Sequence, residues 1–114
     1  MNDRDFSTLS QMLEFTKRLK RRIEGVSIGE FLENDDLQDM ILYAIGQVGE
    51  NANLVSDEVR DAHTGMLWNA VIGIRNRVFH SYGNIDMTIV YEAVIEHTPL
   101  LIQQLEDILN GKKE

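Results

Sequence analysis

The chain has 114 residues, 43% of them hydrophobic and 26% charged, which fits one ordinary soluble globular domain large enough to bury a single core. The absence of cysteine excludes disulfides, thiol nucleophiles and Cys-ligated metal sites, and His63, His80 and His97 fall at no metal-binding spacing, which disfavours a metal-dependent mechanism. Eleven Lys and Arg against 19 Asp and Glu leave a net charge of -8, so any grip on a polyanion has to come from a local basic patch.

The N-terminal MNDRDFSTLSQ carries charges where a signal peptide needs an apolar stretch. No uncharged apolar run approaches the roughly 18 residues of a membrane span, so a cytoplasmic protein is expected. Phe6, Leu9, Leu13 with Met12, Thr16, Leu19 and Ile23 mark one face of a first helix that ends near Gly25. Ser27 and Glu30 have capping-box spacing and predict a short helical turn through Phe31 and Leu32. The acidic run Glu33-Asn34-Asp35-Asp36 suits the N-terminus of a second long helix, whose apolar face is Leu37, Ile41, Ala44, Ile45, Val48, Ala52 and Val55. Gly46 and Gly49 lie inside that helix, where glycine costs about 1 kcal/mol relative to alanine, and close packing against a neighbouring helix accounts for them. Ser56 predicts the N-cap of another short turn.

A third long helix is predicted from Met66 to Tyr82, with Gly83-Asn84 as its stop, and a fourth from Met87 to Leu109. Pro99 should kink or restart the fourth, with Thr98 as N-cap of the new segment. Few glycines, one proline and no strand signal give an all-α fold: an up-and-down four-helix bundle with short extra helical turns, one domain over 1–114.

The third helix carries the chemistry. At 100° per residue Leu67, Val71, Ile74 and Val78 form one stripe, which is the expected core face. A second row holds Trp68, Ile72 and Phe79, with Arg75 among them. A helix apolar on two faces calls for two partners, the second of which can be another subunit. Arg75 either snorkels from a wide core face, pairs with a buried acid, or serves a site. Arg75, Asn76, His80 and Tyr82 crowd into two turns, and a guanidinium fork with an imidazole suits metal-free phosphodiester chemistry. On an ideal helix Arg75 and His80 lie roughly 140° apart. They converge only through helix distortion, a wrapped Arg75 side chain, or two copies meeting.

The arrangement R-N-x-x-x-H-x-Y over Arg75–Tyr82 resembles the signature of HEPN domains of the HepT type, the toxins of HepT/MntA toxin-antitoxin pairs. The segments Ala44–Glu58, Trp68–Asp86 and Val90–Leu109 resemble the family's second, motif and closing helices. The resemblance implies a homodimeric HEPN bundle that cleaves RNA without metal or cofactor at a cleft shared by both motifs. In it His80 would act as general acid/base, Arg75 would bind the scissile phosphate and Asn76 would orient the site. Attack by the ribose 2'-OH would leave a 2',3'-cyclic phosphate. The implied partner is a cognate minimal nucleotidyltransferase (MntA-like) antitoxin that transfers AMP to Tyr82. Members often have an acidic residue before the tyrosine and a bulky one after it, where this chain has Ser81 and Gly83.

Lys17, Arg18, Lys20, Arg21 and Arg22 put five of the 11 basic residues in one stretch. The run suits a helix C-terminus and, with Lys17, Arg18, Arg21 and Arg77, is a candidate RNA-binding surface. His63 and His97 are expected at surface or boundary positions, and Trp68 and Phe79 in a core or interface. Two other functions compete with the ribonuclease: a catalytically weak HEPN module that forms a complex with the transferase, and an unrelated structural four-helix dimer.

Overall fold

The computed structural model describes residues 1–80 and 84–111, apart from the Phe79 side chain. It is all-helical over these residues, with four long helices and two short ones. Helix α1 (Asp3–Ile23) starts at Asn2, whose side chain accepts from the Asp5 amide at 2.7 Å, and is followed by Gly25 at φ 76°. Leu9, Met12, Thr16, Leu19 and Ile23 are buried as their spacing predicts. Phe6 is not: it is 53% exposed, and the buried positions of that first turn are Asp5 and Thr8. Asp5 turns inward because Ser56 satisfies its carboxylate, the hydroxyl donating at 2.7 Å and the amide at 3.0 Å. Those bonds, the hydroxyl's first, hold the Asp5 carboxyl below its ordinary pKa.

Helix α2 (Ile28–Leu32) has the expected capping box, Ser27 and Glu30 bonding reciprocally at 3.1 Å. It inserts Phe31, fully buried, against the ring of Tyr91. Helix α3 (Asp35–Leu54) is capped by Asn34 and buries Ile41, Ala44, Ile45, Val48 and Ala52 in the predicted register. Helix α4 (Asp57–Ala62) starts at Ser56, and its Arg60 donates to the carbonyl of Ala52, satisfying an end group of α3.

Helix α5 (Trp68–His80) begins two residues later than Met66. Met66 is buried in the preceding turn, and the Trp68 indole donates to the His63 carbonyl at 3.0 Å, fixing the start. The predicted end at Tyr82 and the Gly83 half of the stop lie outside the described residues. Helix α6 (Met87–Leu109) is capped by Asp86 and runs through Pro99 without restarting. Thr98 is therefore no N-cap; it is buried and its hydroxyl donates to the Val94 carbonyl at 2.7 Å. Pro99 is exposed, and so is Ile95, the residue whose carbonyl loses its helical donor.

Successive long helices run antiparallel. Asp5 meets Ser56 across α1 and α3, the Tyr91 hydroxyl donates to the Val26 carbonyl at 2.6 Å where α6 starts, and Gln104 reaches Gly65. Helix α1 packs against α3 and α6, and α3 against α5, whereas among the described residues the backbones of α5 and α6 stay apart along most of their length. An apolar groove of about 150 Å³ lies between them, floored by Leu19, Ile45 and Val48. This gap corrects the expected core face of α5. Trp68 and Val78 are buried, whereas Leu67 is 65% and Ile74 37% exposed along the groove. Among the described residues the main partner of α5 is α3, so the row holding Trp68 and Arg75 turns inward and part of the other stripe faces the gap.

Candidate functional site

Arg75 leaves α5 where that helix seats directly on Gly49 of α3. A Cβ placed on Gly49 would overlap the Arg75 Cβ, lie 2.7 Å from its Cγ and come within 3.3 Å of the Val71 carbonyl oxygen. Only glycine fits there. This identifies the neighbour that the helix-interior glycine accommodates: it is the candidate site's own arginine.

The Arg75 side chain is 27% exposed, and its terminal nitrogens are both engaged. Nη2 donates to Glu50 Oε2 at 2.7 Å and Nη1 to Asn76 Oδ1 at 2.7 Å. Arg75 does pair with an acid, but Glu50 is half-exposed and not the buried acid expected. A pair of this exposure contributes about 0–1 kcal/mol to stability, so its main consequence is to fix where the guanidinium sits. The Asn76 amide oxygen thus meets one end of the guanidinium.

Asn76, Arg77 and His80 are exposed on α5. The helix is unbroken from Trp68 to His80, so helix distortion is not what brings Arg75 and His80 together. Tyr82, with Ser81 and Gly83, lies outside the described residues, as does the side chain of Phe79.

The basic run occupies the last turns of α1. Lys20 pairs with Glu24 at 3.1 Å, Arg18 lies 5.1 Å from the centre of the Phe15 ring, Lys17 is half-buried, and Arg21 and Arg22 are exposed. Antiparallel succession puts this run at the same end of the bundle as the His80 end of α5. His63 is half-buried beyond α4, and His97 is exposed at the groove. Trp68 belongs to the core. Among the described residues no three His, Asp or Glu side chains gather as metal ligands, and no helix is long and apolar enough to cross a membrane.

The close packing expected at Gly49 is present, but spacing alone does not name Arg75 as its neighbour, and nothing in the helical pattern points to Glu50. The available signal was an arginine in an apolar row facing a helix with interior glycines: close contact at Gly49 puts the next residue, an acid, within reach of the guanidinium.

The sequence model of the family described as Ribonuclease HepT-like matches residues 12–108 of this chain. A provisionally named RNase of Caldanaerobacter subterraneus subsp. tengcongensis is 25% identical over 105 residues, covering 92% of this chain and 94% of the relative. A provisionally named RNase of Methanocaldococcus jannaschii is 24% identical over 97 residues, 85% of this chain and 83% of the relative. A protein of Thermococcus cleftensis, provisionally named ribonuclease HepT, is 20% identical over 100 residues, 88% and 91% of the two chains. No solved structure gives a significant match.

Proposed function

The chain belongs to the Ribonuclease HepT-like family, and from that premise we propose that it is an endoribonuclease toxin cutting RNA without metal. The observation that carries this reading is the motif on α5: an arginine held by two partners, with an exposed histidine on the same helix. In the proposed reaction the ribose 2'-oxygen attacks the adjacent phosphorus as His80 takes its proton. The bond to the 5'-oxygen breaks, and that oxygen leaves with a proton supplied by a histidine. A 2',3'-cyclic phosphate and a 5'-hydroxyl remain. An imidazole exchanges protons near neutral pH, and the planar Arg75 fork suits the charge that builds on the phosphoryl oxygens.

The working unit in this reading is a homodimer. Two observations support it: Arg75 and His80 diverge on a regular helix, and the groove between α5 and α6 leaves apolar surface that a second copy would cover. A cognate minimal nucleotidyltransferase would silence the toxin by joining the phosphorus of AMP from ATP to the Tyr82 oxygen, releasing pyrophosphate. The added bulk and negative charge beside the motif would obstruct an RNA phosphate. The adduct on Tyr82 is expected by peptide mass spectrometry after incubation with transferase and ATP; an unmodified Tyr82 removes this part of the reading.

The deciding experiment is RNA cleavage in excess EDTA by wild type, His80→Ala and Arg75→Ala. Cutting by wild type with 2',3'-cyclic ends is expected, with a loss of at least about a hundredfold in each variant. Reversing Lys17, Arg18 and Arg21 in the same assay should weaken RNA binding and flatten its salt dependence. No cutting by folded wild type across varied RNAs would leave the module that acts through its transferase complex.

A further inference from the structure

We propose that Glu50 is a positioning residue for Arg75: it clamps the guanidinium from α3 and fixes the direction in which Arg75 meets the phosphate. The inference rests on the ribonuclease reading for its consequence in catalysis, but its geometry is independent of that reading.

An arginine side chain has many rotamers, and a phosphate-binding arginine that samples them all spends little time in the productive one. Three contacts restrict Arg75. The absent Cβ of Gly49 lets the base of the side chain seat directly on the α3 backbone. Asn76, the next residue on α5, accepts from Nη1 at 2.7 Å. Glu50, the next residue after the glycine, accepts from Nη2 at 2.7 Å. Among the contacts of the described residues, the first two limit the stem and one end of the fork, and the third ties the guanidinium to a second helix. A guanidinium has a planar set of donors, so fixing both terminal nitrogens fixes the orientation of that plane.

Glu50 is an acid beside a group that has to attract a phosphate, so electrostatics alone would make it a hindrance. Its removal is therefore expected to separate the two kinetic quantities. RNA binding stays within about twofold or tightens, because Arg75 keeps its charge and loses a competing anion. The chemical step slows, because the guanidinium is no longer held where charge develops. Exposure of the pair keeps the effect on folding small.

The test uses the full chain with Glu50→Ala and Glu50→Gln, the second retaining an acceptor oxygen. In RNA cleavage, kcat should fall about tenfold or more in Glu50→Ala with KM unchanged or lower, and Glu50→Gln should recover most of it. In an Arg75→Lys background the Glu50→Ala change should cost less than about twofold, since two residues acting through one contact are not additive. A Glu50→Ala protein with full kcat overturns the proposal, and so does an equal loss in both backgrounds. Nitrogen-15 resonances of the Arg75 guanidinium supply a second readout that needs no substrate. Rotation about its Nε–Cζ bond should be restricted in wild type and averaged in Glu50→Ala; equal averaging in both overturns the clamp. Wild type that cuts no RNA overturns the ribonuclease reading alone, and the nitrogen-15 comparison still decides whether Glu50 holds Arg75.

Discussion

Two acids set the behaviour of this molecule at the residue scale, and both do so through partners distant in sequence. Asp5 is buried near the start of α1 yet belongs energetically to Ser56, 51 residues away, whose hydroxyl and amide both donate to it. The carboxyl's pKa is depressed below its ordinary 3.8 by these bonds, so the stabilisation is fully present above that pH and fades as pH falls through the folded value. Asp5→Asn is expected to cost about 1–3 kcal/mol at pH 7. In thermal melts the gap between variant and wild type should close in acid, below the ordinary carboxylate range. A gap of the same size at pH 7 and in acid would assign the loss to packing instead. Neither Asp5 nor Glu50 was legible from the sequence, because helical periodicity ranks residues by apolarity and both acids sit where only a long-range donor explains them.

At the element scale the local signals were read well. Caps depend on three or four consecutive residues, which is why Ser27 with Glu30 and Ser56 ahead of α4 appear where their spacing puts them. Pro99 was misread for the complementary reason. Its ring removes one donor, but whether that ends a helix depends on the surroundings of the abandoned carbonyl, and here both Pro99 and Ile95 are exposed residues. Because α6 continues through it, Pro99→Ala is expected to raise stability by about 1–3 kcal/mol in denaturant titration. A neutral or destabilising result would mean that Pro99 contributes as the first residue of a separate segment. Most of the register of α3 was legible, since it is buried against neighbours on both sides, although Leu42 and Asn51 are buried beyond the predicted face. That of α5 was not: an apolar pattern on two faces does not say which face meets the protomer's own core.

On the scale of the whole molecule the open edge between α5 and α6 decides what else the chain needs. Leu67, Ile74 and Leu100 stand exposed around a groove whose floor is the domain core. Covering it with a second copy would bring two motif helices into one assembly, which the composite-site reading requires. Ile74→Glu and Leu100→Glu together should convert a dimer at micromolar concentration into a monomer in sedimentation, with little change in the thermal midpoint because both side chains are already exposed. Dimers that persist in this double variant would place the interface elsewhere on the surface.

Helical class, the four long and two short helices, the Ser27 and Ser56 caps, most of the buried face of α3 and the motif on α5 can all be read from the chain of amino acids. Each of these depends on neighbours within a few turns, where periodicity and capping chemistry act. Only the tertiary structure decided which face of α5 turns inward, that Gly49 receives Arg75, and that Glu50 and Ser56 are the partners of Arg75 and Asp5. Those outcomes follow from how closely two helices approach and which polar groups must be satisfied when they do, and neither quantity is written in the spacing of residues along one chain.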